Sequence, residues 1–192
     1  KTRLEALSDG IFAIVMTLLV LELMSPEWSS LRAAAEEDAA LRALWPKAVS
    51  FVISFMIAGI FWVAHHSQFH FVRRTNRRHI WINMLFLLGV SCLPFSAALL
   101  GGHPDARSAV LLYGLNVMFV ALALAAQWWY AVVAGLAAPE LPPGFSAGVY
   151  RRIGFGQLMY GTALAVAFVR PEAAFALYVL FVLLYVLVQL RP

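Results

Sequence analysis

This sequence predicts an all-α integral membrane protein with six transmembrane helices, and three observations carry that reading. Of its 192 residues, 62% are hydrophobic and only 12% charged, against roughly 45–50% and about 25% in a soluble domain. The mean hydropathy is +0.81. The apolar residues also fall into six runs, most close to the ~20 residues that cross a hydrocarbon core as a helix. Within each run they are continuous, without the in–out alternation of a barrel strand.

The runs cover residues 4–24, 44–64, 80–100, 109–134, 153–169 and 173–190, and together they form one transmembrane domain over 1–192. Ser25-Pro26-Glu27 stops the first. The Ala-rich, acidic stretch 30–42 reads as a short surface helix, and Pro46 sits near the start of the second span, where a missing N–H costs little. Gly101-Gly102-His103-Pro104 and residues 138–144 are turns by composition, and Arg170-Pro171 makes the last connection a tight hairpin. The Lys1-Thr2-Arg3 start could open a secretory leader. Ser8-Asp9 interrupts its apolar stretch and no A-x-A site follows promptly, so the segment reads as a retained span.

Such a composition excludes a disordered chain, a basic nucleic-acid-binding domain and an ordinary cytosolic enzyme, because too little polar surface exists to wet a globule of this size. The basic residues are dispersed and point to no nucleic-acid partner; the bilayer is the partner. With six spans both termini share one side, which carries nine basic residues, including Arg73, Arg74, Arg77 and Arg78, against five on the other. The acids divide the opposite way, three to seven. By the positive-inside rule the termini face the cytoplasm and the chain is multi-pass in the cell membrane.

Smaller features have modest readings. Cys92 is expected to be a small buried hydrophobe. Gly154, Gly156 and Gly161 can permit close helix contact, with ordinary packing the simpler account. Residues 127–130 (QWWY) read as an interfacial aromatic belt, Asn116 as a bond to another helix, and Arg73–Arg78 as a lipid-headgroup anchor.

The first span holds the chemistry. Placed at 100° per residue, Leu7, Gly10, Ile14, Thr17, Leu18 and Leu21 form one stripe, while Asp9 points nearly opposite. An ionised carboxylate in lipid costs at least a few kcal/mol, so Asp9 and Glu22 are expected to face protein or water. Glu22 lies near the outer mouth, about 80° from Ile14 at the helical period, where it either concentrates cations or is simply solvated.

Arg3-x-x-x-Leu7-Ser8-Asp9-Gly10, running on through Phe12-Ala13-Ile14 and Thr17-Leu18-Leu19, resembles the signature of the transmembrane protein 175 family of potassium channels. The family's usual form has Phe where Leu7 stands. Phe61-Trp62-x-x-His65-His66, then Asn83, then Leu93-Pro94-Phe95 are similar to its second and third helices; the second half of the chain matches in hydropathy alone. The resemblance implies a single-repeat subunit of six helices, a homotetramer, and first helices that line a central pore without a re-entrant loop. It implies a potassium-permeable, leak-like cation channel whose hydrophobic gate is formed by Ile14, Leu18 and Leu21, with Thr17 supplying a hydroxyl ring. It also implies a structural polar network of Arg3, Ser8, Asp9, Trp62, His65, His66 and Asn83, with Asp9 a buried carboxylate needing several donors. The sequence has no T-V-G-Y-G carbonyl filter. No cofactor or metal is expected beyond the permeant K⁺.

Two rivals stand beside this reading. His66 and His70 have the i, i+4 spacing of metal ligands, but the E-x-x-H pairs of a di-iron bundle are lacking, so no enzyme is expected. A secondary cation or proton-coupled transporter would use Asp9 and Glu22 as relays and Pro94 as a helix interruption; no internal repeat supports it.

Overall fold

The computed structural model describes residues 1–24 and 34–189; the side chains of Glu22, 34–43 and 188–189 lie outside the description. The described residues form seven α-helices and one 3₁₀ turn: α1 Thr2–Leu18, continued by the 3₁₀ turn Leu19–Leu23, α2 Ala34–Phe71, α3 Arg77–Ser91, α4 Leu93–Gly102, α5 Arg107–Val133, α6 Phe145–Ala167 and α7 Pro171–Gln189. No strand occurs among them; Val72 and Ala137 make one isolated antiparallel bridge. Four stretches are long and apolar enough to cross a membrane: Thr2–Leu21, Leu44–Phe71, Arg77–Gly102 and Arg107–Val133. A shorter apolar helix covers Pro171–Leu187, and α6 holds Arg151 and Arg152 within its 23 residues.

The stretch expected as a separate surface helix, 30–42, lies outside the described residues up to 33; from Ala34 it is the beginning of α2. Alanine and glutamate favour helix strongly enough for α2 to begin well before the apolar run, so Pro46 sits inside the helix rather than at its start. Ser25-Pro26-Glu27 also falls outside the described residues.

The third apolar run is two helices. Pro94 has no N–H to give the Val90 carbonyl and its ring crowds that oxygen, so the chain breaks at Cys92 (φ −82°, ψ −11°) and restarts as α4. Cys92 is exposed at this joint, a correction to its expected burial: the buried positions Phe86, Val90, Leu93 and Ala97 keep a spacing of three and four through the joint, and Cys92 falls with Leu88 and Phe95 on the other face.

A single core joins α1 to the other helices. Phe12, Val15 and Leu19 meet Ile57, Phe86, Val90, Leu93 and Ala97, and the cluster continues through Val117 and Val120 to Tyr178. Polar ties cross the same core: Ser50 donates to the Ala97 carbonyl at 2.7 Å, Ser54 and Tyr113 share a bond of 3.1 Å, and Tyr178 donates to the Val110 carbonyl at 3.0 Å. Asn116 donates to Ser96 Oγ at 3.0 Å, the interhelical bond anticipated for it. Helices approach tightly at Gly89, Gly101 and Gly114; at Gly114 an added Cβ would meet the Tyr178 hydroxyl and Leu164. Gly154, Gly156 and Gly161 face open space.

At one end of the bundle, α5 stops at Gly135, whose φ of +63° is open to glycine at little cost. Leu136 N–H then reaches the Ala131 carbonyl at 2.8 Å and Gly135 N–H the Val132 carbonyl at 3.1 Å, the pair of bonds that satisfies a helix end. The chain then pairs with the end of α2: Arg73 N–H donates to the Leu136 carbonyl, Ala138 N–H to the Phe71 carbonyl, and Arg73 Nη2 to Glu140 at 2.6 Å. Trp128, expected at an interface, is buried here with its indole N–H on Ser146 Oγ, whereas Trp129 is exposed.

Candidate functional site

The two faces of α1 differ in kind. Leu4, Ser8, Phe12 and Val15, with Leu19 of the following turn, are buried, and their spacing of three and four keeps them on one side. Away from them, Leu7 is 45% exposed, Ile14 59%, Leu18 42% and Leu21 52%; Gly10 and Thr17 are exposed too. The 3₁₀ turn over Leu19–Leu23 brings residues three apart nearly into eclipse, so Leu21 stands almost directly above Leu18. Thr17 Oγ1 donates to the Ile14 carbonyl at 2.8 Å, which occupies its proton and leaves its oxygen lone pairs as acceptors. All four residues singled out as pore-lining are thus free of the protomer's own core. The Glu22 side chain lies outside the description.

Behind this row, a buried polar chain ties α1 to three helices. Ser8 Oγ donates to the Leu4 carbonyl at 2.9 Å and accepts from Asn83 Nδ2 at 3.4 Å. Asn83 Oδ1 lies 2.9 Å from His65 Nε2 and 3.1 Å from Gln127 Nε2. An amide oxygen can only accept, so His65 carries its proton on Nε2 in this arrangement. The imidazole is clamped between Phe86, parallel to within 4° at 5.2 Å, and Phe69 at 4.3 Å. An apolar sandwich of this kind fixes a ring that has one polar edge engaged.

The seven residues expected in one network separate into two groups and an outlier. Ser8, His65 and Asn83 are in the buried chain. Asp9 and Trp62 form a second, exposed pair, the indole N–H donating to Asp9 Oδ1 at 2.9 Å, with Trp62 stacked on His66 at 5.6 Å. Asp9 is therefore exposed in the protomer with one donor rather than buried among several: at the helical period it falls just beyond the edge of the buried face. Arg3 is exposed, and among the described residues it makes no hydrogen bond or ion pair. Sequence reading missed Gln127, which it had grouped with the aromatic belt; a lone amide next to a long apolar run was the signal available. It missed His79 as well, fully buried, with neither ring nitrogen hydrogen-bonded. Among the described residues no three His, Cys, Asp or Glu side chains converge as metal ligands; His65 is clamped inside while His66 and His70 face outward.

An all-helical bundle with helices long and apolar enough to span a bilayer, a polar anchor inside and an exposed aliphatic row on its first helix is of the polytopic membrane-protein class. The family model described as endosomal/lysosomal potassium channel TMEM175 matches residues 3–94, the half that holds α1 and most of its anchor. A potassium channel of Streptomyces collinus is 34% identical over 188 residues, 95% of this chain and 90% of that protein. A potassium channel of Chamaesiphon minutus is 34% identical over 171 residues, 87% and 84% of the two. The human endosomal/lysosomal proton channel TMEM175 is 39% identical over 101 residues, 50% of this chain and 20% of that one. The crystal structure of a lysosomal potassium-selective channel TMEM175 homolog from Chamaesiphon minutus superposes with a TM-score of 0.83 at 28% identity, covering 99% and 98% of the two chains. The chain belongs to the TMEM175 family, a family of ion channels and not of enzymes.

Proposed function

We propose that four copies of this chain assemble in the cell membrane around a central axis lined by α1, and that the assembly is a potassium-permeable, leak-like cation channel. One observation carries the proposal: Ile14, Thr17, Leu18 and Leu21 are left outside the protomer's core on the first helix of the stretch that matches a family of channels. Relatives named as potassium channels over nearly the whole chain support the permeant ion.

The mechanism follows from side-chain chemistry. Four Ile14 side chains at a narrow point exclude water and block ions by dewetting. A slight widening admits a partly hydrated ion, which then meets a ring of Thr17 oxygens whose protons are already engaged by the Ile14 carbonyls. K⁺ sheds water more readily than Na⁺, so a weak preference arises without a carbonyl cage. The buried chain from Ser8 to Gln127 holds α1 at a fixed rotation, so that the aliphatic row keeps facing the axis. Both termini and the Arg73–Arg78 connection face the cytoplasm, supported by the charge asymmetry.

The test is reconstitution of the purified protein into planar bilayers. Discrete currents that follow the electrochemical gradient and reverse nearer the K⁺ than the Na⁺ potential are expected. Slow, saturable, coupled flux without unitary currents would mean a transporter.

A further inference from the structure

A groove beside α2 has no part in the pore reading above, although Trp62, the partner of Asp9, is in its wall. It runs between α2, α5, α6 and α7 and encloses about 800 Å³, inside the ~300–1,000 Å³ range of ligand sites. Along α2 it extends from Phe55 to Gln68, roughly 20 Å at 1.5 Å per residue, somewhat more than half a ~30 Å hydrocarbon core. Its walls are almost entirely apolar through that depth. At one end stand Arg151 and Arg152, both exposed; no acidic residue lines the groove, and neither arginine makes an ion pair among the described residues. Gln68 also lines the groove and is 3% exposed, its unpartnered Oε1 covered by the protein. The buried Tyr160 hydroxyl, also in the wall, has no partner either.

We propose that this groove is a binding site for one glycerophospholipid of net negative charge, with an acyl chain along α2 and α6 and its phosphate between Arg151 and Arg152. Three properties converge on that occupant. The depth matches a single leaflet plus the glycerol region. The apolar walls suit an acyl chain, which needs no hydrogen bonds. Two arginines in one turn of α6, without an ion-pair partner among the described residues, complement a phosphodiester, to which arginine binds in a forked geometry.

The wall provides its own control. Gly156 lines the groove, and a Cβ placed on it meets nothing within 4 Å, so Gly156→Leu fills the space without a clash and with better helix propensity. Native mass spectrometry of the full-length protein, delipidated in detergent and supplied with an equimolar mixture of phosphatidylglycerol and phosphatidylcholine, reads the site directly. At least fivefold preferential retention of phosphatidylglycerol is expected. Arg151→Gln with Arg152→Gln should abolish the preference, Gly156→Leu should abolish retention, and each variant should keep the wild-type helical circular dichroism. Equal retention of the two lipids, or phosphatidylglycerol held undiminished by both variants, would overturn the proposal.

Discussion

Asn83 Oδ1 lies 2.9 Å from His65 Nε2, both residues buried, and the same oxygen receives Gln127 at 3.1 Å. One amide thereby joins α2, α3 and α5, while its nitrogen reaches back to Ser8 on α1. Replacing Asn83 by Leu keeps the volume roughly constant but strands the His65 and Gln127 donors. Leaving buried groups unpaired costs about 1–3 kcal/mol each, and His65 cannot escape its sandwich of Phe69 and Phe86. Thermal unfolding in detergent should show a clear loss of stability for Asn83→Leu and a smaller one for Asn83→Asp. A neutral outcome for the leucine variant would mean that the chain does not anchor α1.

Asp9 and Trp62 behave differently, because their bond is on the surface of the protomer. A charged acceptor exposed on an isolated subunit and inside a membrane must be covered in the assembly. Asp9→Asn is therefore expected to reduce the tetramer fraction, measured by light scattering on the detergent-solubilised protein, before it alters ion selectivity. A normal tetramer with altered ion ratios would instead assign Asp9 to conduction.

Gly114 faces Tyr178 across the α5–α7 contact, and a methyl group there would displace the hydroxyl that donates to the Val110 carbonyl. Overpacking of this kind costs about 1–3 kcal/mol, against a helix-propensity gain of at most ~1 kcal/mol for Gly→Ala. Gly114→Ala should thus lower the unfolding temperature, and Gly114→Ala with Tyr178→Phe should recover part of the loss. Gly161→Ala, in open space, should be neutral or mildly stabilising.

Arg73 and Glu140 clasp the connections at one end of the bundle at 2.6 Å, but their side chains are 58% and 77% exposed. Exposed pairs are worth ~0.2–1 kcal/mol, and the backbone bridge at Val72 and Ala137 holds the same contact. A double-mutant cycle with Arg73→Gln and Glu140→Gln should return a coupling at or below that range.

The fold class was legible because an apolar run of some twenty residues has few structural options in a bilayer; helix ends were less so. Polar residues such as His65, Gln68 and Phe69's neighbours lie beyond the second apolar run yet continue α2, since a helix ends where its caps and packing end it and not where hydropathy falls. The α1 row was visible because a period of 3.6 separates faces within one helix. The anchor was only partly visible: Ser8 to Asn83 spans 75 residues of sequence, and no local pattern showed that Gln127 would complete the chain, that Asp9 would stay outside it, or that Arg3 would take no part. Cys92 was misplaced because hydropathy does not say which face of an apolar helix is buried, and Cys92 shares the exposed side with Leu88 and Phe95.

The central claim is that Ile14 forms the narrowest point of a pore, and single-channel recording of Ile14→Ala and Ile14→Asn in planar bilayers tests it most directly. Both variants should assemble normally, since Ile14 is outside the core. Both should open more often or conduct more, with Ile14→Asn wetting the constriction most and weakening discrimination between K⁺ and Na⁺. Unitary conductance and reversal potential identical to those of the wild-type chain would contradict the account.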